Sequence, residues 1–92
     1  MALAWPDKDP DEVLDYEIDW SARLAEGDTI TTSTWLLEAG DLTIDSDSFA
    51  DTTSTVWLSG GAVGTKYELT NRVVTDGGRT MDQTVRLKIK EK

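Results

Sequence analysis

Leu14-Asp15-Tyr16-Glu17-Ile18-Asp19-Trp20 alternates without a break: Leu14, Tyr16, Ile18 and Trp20 fall on one side, Asp15, Glu17 and Asp19 on the other. A period of two places successive side chains on opposite faces of an extended chain, so the stretch reads as a strand with an apolar inner face and an acidic outer one. A slip of one residue would turn Tyr16, Ile18 and Trp20 to water, which pins the register. The same period returns further on, where Tyr67, Leu69, Asn71 and Val73 are in phase within a strand starting at about Lys66. Asp76-Gly77-Gly78 then reverses the chain, and Met81, Gln83, Val85, Leu87 and Ile89 alternate against Asp82, Thr84, Arg86, Lys88 and Lys90. These two runs form a hairpin.

Between them the signals are shorter. Ser21 to Asp28 reads as one helical turn or a broad loop closed by Gly27-Asp28. Thr29 to Leu37 is rich in β-branched and aromatic residues and predicts a strand. Its inward parity changes between Ile30 and Trp35, which predicts a bulge or a change of sheet. After Ala39-Gly40-Asp41 a short strand is expected over Leu42-Thr43-Ile44, a polar loop over Asp45 to Ser54, and another strand over Thr55 to Ser59, ended by Gly60-Gly61. At the other end Ala4-Trp5-Pro6-Asp7-Lys8-Asp9-Pro10-Asp11-Glu12 carries two prolines in a charge cluster, against both helix and ladder pairing. Residues 1–12 therefore read as an extended arm and residues 13–92 as the folded domain. Trp5 stands out in that arm: it either packs back on the edge of the domain or docks into a partner.

Six to seven short strands, frequent turns and no helical period predict an all-β, immunoglobulin-like Greek-key sandwich, with a small barrel as the competing arrangement. Tyr67, at the start of the penultimate strand after a Gly-containing turn, sits where immunoglobulin-like folds place a tyrosine whose hydroxyl bonds nearby backbone. It also fits a plain core aromatic. A chain of 92 residues holds one domain and one core.

Composition narrows the function. With no His and no Cys, imidazole-based triads, thiolate nucleophiles and structural zinc are excluded, and no cofactor is expected. An enzyme would have to run on convergent carboxylates. A net charge of −9 argues against a nucleic-acid backbone and against anionic membranes as partners. Apolar runs of two or three residues are far short of the roughly 20 that a spanning helix needs, and Met1 to Pro6 is too short for a secretory core, so a soluble chain made in the cytoplasm is expected. Charge is also divided: residues 1–51 hold fourteen of the 18 acids with only Lys8 and Arg23, whereas residues 52–92 hold four acids and seven cations. The outward residues Asp15, Glu17 and Asp19 and the outward residues Arg86, Lys88 and Lys90 are thus complementary. They are expected to face each other on neighbouring strands or to pair two protomers.

Other candidate sites are weaker. Asp45-Ser46-Asp47-Ser48-Phe49-Ala50-Asp51 offers oxygen ligands for a hard cation but lacks the Gly and Glu of an EF-hand, and reads as a solvated acidic loop. The Asp7 to Glu12 cluster has no better ligand ring. Ser59 to Thr65 has glycines but no following Lys-Ser/Thr, so it is a turn and not a phosphate cradle. Trp20 and Trp35 fall at core positions, leaving only Trp5 and Trp57 as candidates for stacking sugars, too few to argue a carbohydrate site on spacing; a carbohydrate-binding or adhesive sandwich is the competing class. The candidate protein-binding residues are Trp5, Pro6, Asp15, Glu17, Asp19, Arg86, Lys88 and Lys90.

One ordered set of motifs adds to this reading: Trp5 to Tyr16, Ile18-Asp19-Trp20, Gly27-Asp28-Thr29-Ile30, Ser33-Thr34-Trp35, Val56 to Gly61, Gly64, Tyr67, Leu69 to Arg72 and Gly78-Arg79-Thr80. In that combination, over nearly its whole length, the chain resembles the phage fiber-tail adaptor proteins of tailed phages and prophages. The resemblance implies an immunoglobulin-like, non-enzymatic virion component, present in several copies, that joins a fiber to the tail or neck. Its partners would be phage tail, neck and fiber proteins. No catalytic residue carries over.

Overall fold

The computed structural model describes residues 3–37 and 40–92; Met1 and Ala2 of the expected arm and Ala39 of an expected turn lie outside the described residues. Among the described residues seven strands follow one another: β1 (Leu3–Ala4), β2 (Leu14–Asp19), β3 (Ile30–Leu37), β4 (Leu42–Phe49), β5 (Thr53–Gly60), β6 (Lys66–Thr75) and β7 (Thr80–Lys88). They form two sheets, ordered β1-β7-β6-β3 and β2-β5-β4, so the chain crosses between sheets after β1, β2, β3 and β5. This is an immunoglobulin-like Greek-key sandwich and not a closed barrel. Its first strand lies parallel along the β7 edge, with Leu3 opposite Val85 and Ala4 opposite Arg86, instead of beside β2.

The period-two reading of β2 holds residue by residue: Tyr16, Ile18 and Trp20 are buried, and Asp15, Glu17 and Asp19 are exposed. The β6–β7 hairpin pairs from Lys66 opposite Lys88 to Val74 opposite Thr80, turning through Gly78 at a φ of 84°. The parity change in β3 is a bulge between Ile30 and Thr32, and the strand stays in one sheet. Two adjoining apolar clusters fill the sandwich, one around Val56, Leu58, Leu69, Leu87 and Ile89, the other around Ile18, Trp20, Val73 and Val85.

Across the centre runs a buried polar knot. Trp20 Nε1 donates to Ser54 Oγ (3.2 Å) and Asn71 Oδ1 (3.0 Å), and Ser54 Oγ donates to the same Asn71 oxygen (2.6 Å). Asn71 Nδ2 in turn donates to Ser33 Oγ (2.9 Å) and the Thr34 carbonyl (3.1 Å). Trp20 and Ser54 belong to the three-stranded side and Asn71, Ser33 and Thr34 to the four-stranded one, so the knot sets how the sheets register. A buried network is stabilising only when its members are satisfied, and both Asn71 amide atoms are. Tyr67 is buried, and its hydroxyl accepts the Ala62 backbone N–H at 3.0 Å, the backbone tie expected of that position.

Two expectations are corrected. Asp45 to Phe49 is not loop: β4 continues through it, with a bulge between Ile44 and Ser46 and pairing of Phe49 with Ser54. It is an edge strand with solvent on both sides at this end, so its Ser and Asp residues carry no apolar alternation. The arm, in turn, does pair. Beyond β1, Trp5 N–H donates to Arg86 O and Lys8 N–H to Lys88 O, both at 3.0 Å, and Lys90 N–H donates to Lys8 O at 2.8 Å. Prolines are compatible with such an edge strand, because only one side of its backbone faces the ladder.

Candidate docking surfaces

Trp5 packs back. Its ring stacks on Tyr16 at 4.6 Å between centroids and 15° between planes, lies 5.9 Å from the Trp35 ring, and adjoins both apolar clusters. The arm's backbone bonds to β7 hold it there, so the aromatic bridges the two sheets at their open edge. The buried Tyr16 hydroxyl and Trp35 Nε1 have no hydrogen-bond partner among the described residues. Burial, then the nearby Glu12 and Asp7 charges, push the Tyr16 phenol up from its ordinary pKa. Pro6, next along, is exposed.

Lys8, read from sequence as one charge among several in a polar arm, has no accessible surface. Its Nζ donates to the Gly60 carbonyl at 2.7 Å and the Asp9 carbonyl at 2.9 Å, tying the arm and the end of β7 to β5. Desolvation lowers its pKa, with Glu12, Asp9 and Asp11 pulling the other way from the rim. Further along, Asp9 Oδ1 accepts the Asp11 N–H, Asp9 Oδ2 accepts the Lys92 N–H, and Glu12 accepts the Asp9 N–H and pairs with Lys92 Nζ at 2.9 Å. The cluster once considered for a cation is spent on tying down the arm.

The expected contact of β2 with the last strand is not made. Asp15, Glu17 and Asp19 lie on the outer face of the three-stranded sheet, where β2 pairs with β5. Arg86 and Lys88 lie on the outer face of the four-stranded sheet, with Lys90 just beyond β7; the β7 edge that β2 was expected to take is held by the arm. The sandwich therefore carries its charge on opposite broad faces. On one side Asp15, Glu17, Asp19 and Asp45 stand in strands that contain no Lys or Arg, with Trp57, 42% exposed, directly opposite Asp15. On the other, Lys66 faces Lys88 across the hairpin and Arg86 pairs loosely with Glu68 at 3.6 Å. Arg86, Lys66, Lys88, Ala4, Trp5 and Asp7 line a cleft of about 240 Å³ beside the arm.

Structural work accounts for other charges. Asp28 accepts the Thr29 and Gly77 N–H groups and pairs with Arg79 at 3.2 Å, fastening the β2–β3 loop to the β6–β7 turn. The Thr75 hydroxyl and the Gly77 N–H hold its carboxyl below the usual range. Arg72 and Asp82 form a two-armed ion pair across the hairpin. Among the described residues no group of three or more acids converges as a metal site. Trp5 and Trp57 share no face, so the two-tryptophan sugar platform does not form. Sequence reading missed the burial of Lys8 and the place of Lys66 in the cleft, and considered Trp57 only for stacking sugars; its outward phase between Val56 and Leu58 was the available signal for its exposure.

The family model described as podophage GP4 fiber-tail adaptor protein gp77 matches residues 8–88 of the 92. No curated protein matches the chain.

Proposed function

Because the chain belongs to the podophage fiber-tail adaptor family, we propose that it joins a tail fiber to the tail or neck of the virion as a non-enzymatic structural part, present in several copies. It is made in the host cytoplasm and meets tail, neck and fiber proteins through its outer sheet faces, with neither nucleic acid nor membrane as a partner. The observation that carries this reading is the division of charge between the two broad faces, each left solvent-exposed by the fold. Oppositely charged faces suit a module with a different neighbour on each side, since complementary potentials set orientation and exclude wrong partners. The net charge of −9 supports protein partners over phosphate backbones.

Of the sequence candidates, Asp15, Glu17 and Asp19 supply one docking face and Arg86, Lys88 and Lys90 the other. Trp5 and Pro6 hold the arm that borders the second face. The test is to build phage with Asp15→Lys and Glu17→Lys together, or with Arg86→Glu and Lys88→Glu together. All four side chains are exposed, so the purified variants keep wild-type melting temperatures. Negative-stain counts of virions from both variants are expected to show tails without fibers. Fully fibered, infectious virions from both would refute the reading.

A further inference from the structure

The cleft beside the arm and the surroundings of the tryptophan on the opposite face carry opposite charge. Trp57 stands 42% exposed in the central strand of the three-stranded sheet, with Asp15 directly across from it on β2. Glu17 lies one outward position along β2, and Asp45 sits at the β4 bulge on the other side. Among the described residues Asp15, Glu17 and Asp45 form no ion pair. A large aromatic at the centre of a sheet face, rimmed by unneutralised carboxylates, is what an interface core and rim look like before a partner arrives.

The cleft has the reverse character. Lys66 and Lys88 are directly opposite each other on the hairpin, a like-charge pairing that destabilises a sheet unless something negative sits over it. Neither has an ion pair among the described residues, and Arg86 is held only loosely by Glu68. Among the described residues Asp7 is the one carboxylate that lines the cleft, and Trp5 forms part of its wall. An incoming indole finds three cations and an aromatic residue there. Carboxylates arriving beside it relieve the Lys66–Lys88 repulsion.

We propose that Trp57 and its flanking carboxylates seat in the Lys66–Arg86–Lys88 cleft of a second copy of this chain, so that copies join front to back. Because the knob and the cleft lie on opposite faces, the contact is heterologous: a joined pair still has one knob free at one end and one cleft free at the other, and the copies build a ring or an open row. Principal extents of 42, 25 and 21 Å leave a broad face able to supply the roughly 800 Å² per partner of a standard interface. The net charge of −9 opposes approach at long range. At physiological salt a Debye length of about 8 Å confines that repulsion, while pairs in contact are screened less.

The inference rests on the reading that the outer faces dock, but its test needs only the purified chain. One variant removes the knob (Trp57→Ser with Asp15→Lys) and another the cleft (Lys66→Glu with Lys88→Glu); melting temperatures establish that both are folded. In sedimentation velocity at physiological salt, the wild-type chain is expected to associate with rising concentration. Loss of the Trp57 anchor alone weakens a contact roughly 30-fold. Each variant alone should therefore stay monomeric. Mixed in equal amounts, the two should form a heterodimer and stop there, since one intact cleft then meets one intact knob. A wild-type chain that stays monomeric at all concentrations overturns the pairing. So does self-association of either variant at wild-type strength, or a mixture that remains monomeric. A monomeric wild type together with fiberless virions from the Asp15/Glu17 variant would assign that face to a different protein and leave the adaptor reading intact.

Discussion

Replacing Trp5 by Ala tests whether the arm belongs to the folded unit. The indole lies half-buried against Tyr16 at 4.6 Å and Trp35 at 5.9 Å, and it closes the open edge between the sheets. Truncating a fully buried Trp to Ala costs about 3–5 kcal/mol. Half-burial scales that to roughly 2 kcal/mol, and loss of the stacked pair adds about 0.5–1.5 kcal/mol. The expected destabilisation is therefore about 2.5–3.5 kcal/mol. In a domain of this size each kcal/mol moves the melting temperature by about 4–8 °C, so Trp5→Ala should melt roughly 10–28 °C below wild type. Circular dichroism melts and urea titrations measure this without relying on the fluorophore that was removed. Trp5→Phe retains a ring over Tyr16 and should lose less than half as much. A double-mutant cycle with Tyr16→Leu should return a coupling of about 0.5–1.5 kcal/mol. If Trp5→Ala melts within error of wild type, the ring is not part of the core, and its role in binding a partner becomes the better account.

Three further outcomes are expected. Asn71→Leu strips Trp20 Nε1 and Ser54 Oγ of a shared acceptor, so urea unfolding should show a loss of roughly 1–3 kcal/mol for each group left unpaired. Gly61→Ala forces a Cβ to within 2.6 Å of Ile89 Cγ1 at a φ of 102°, and its melt should fall by the equivalent of about 1–3 kcal/mol, the cost of such a backbone conformation for a non-glycine residue. Acid should destabilise the fold: Asp28 and Asp82 have folded pKa values below their unfolded ones, so their contribution is present above about pH 4 and is lost as pH falls through the folded values. Asp28→Asn should lower the melting temperature at neutral pH and flatten its decline in acid, and a decline as steep as wild type would exclude Asp28 as a source.

The elements that were legible in sequence share a property: one face is dry and the other wet. β2, β6 and β7 alternate because each lies against the core on one side only, and Tyr67 was legible because a turn and a strand start fix its place. β4 was truncated in the reading because Asp45 to Phe49 has solvent on both faces, which leaves backbone pairing as its only constraint. The arm's pairing was hidden for a related reason, since two prolines and a charge cluster speak against ladders in general but not against a parallel edge strand. Choosing the β7 edge for the arm also decides where β2 does not go. That choice displaced Asp15, Glu17 and Asp19 from Arg86, Lys88 and Lys90. Burial of Lys8 depends on the Gly60 carbonyl, 52 residues away, and nothing local announces it.

The arm's attachment also orders events in time. Its partners are the last strand and the residues after it: Trp5 bonds Arg86, Lys8 bonds Lys88, and Asp9 accepts from Lys92 across 83 residues. During synthesis the first of these segments leaves the ribosome long before the second exists, and at about 5–20 residues per second the wait lasts several seconds. Until β7 is made and released, Trp5 and the β2 aromatics have no lid, and the seam between the sheets stays open. The domain therefore becomes complete only when its last strand arrives, and removing the residues after Lys88 should loosen the arm by taking away the Lys90–Lys8, Lys92–Asp9 and Lys92–Glu12 ties while leaving those to Arg86 and Lys88.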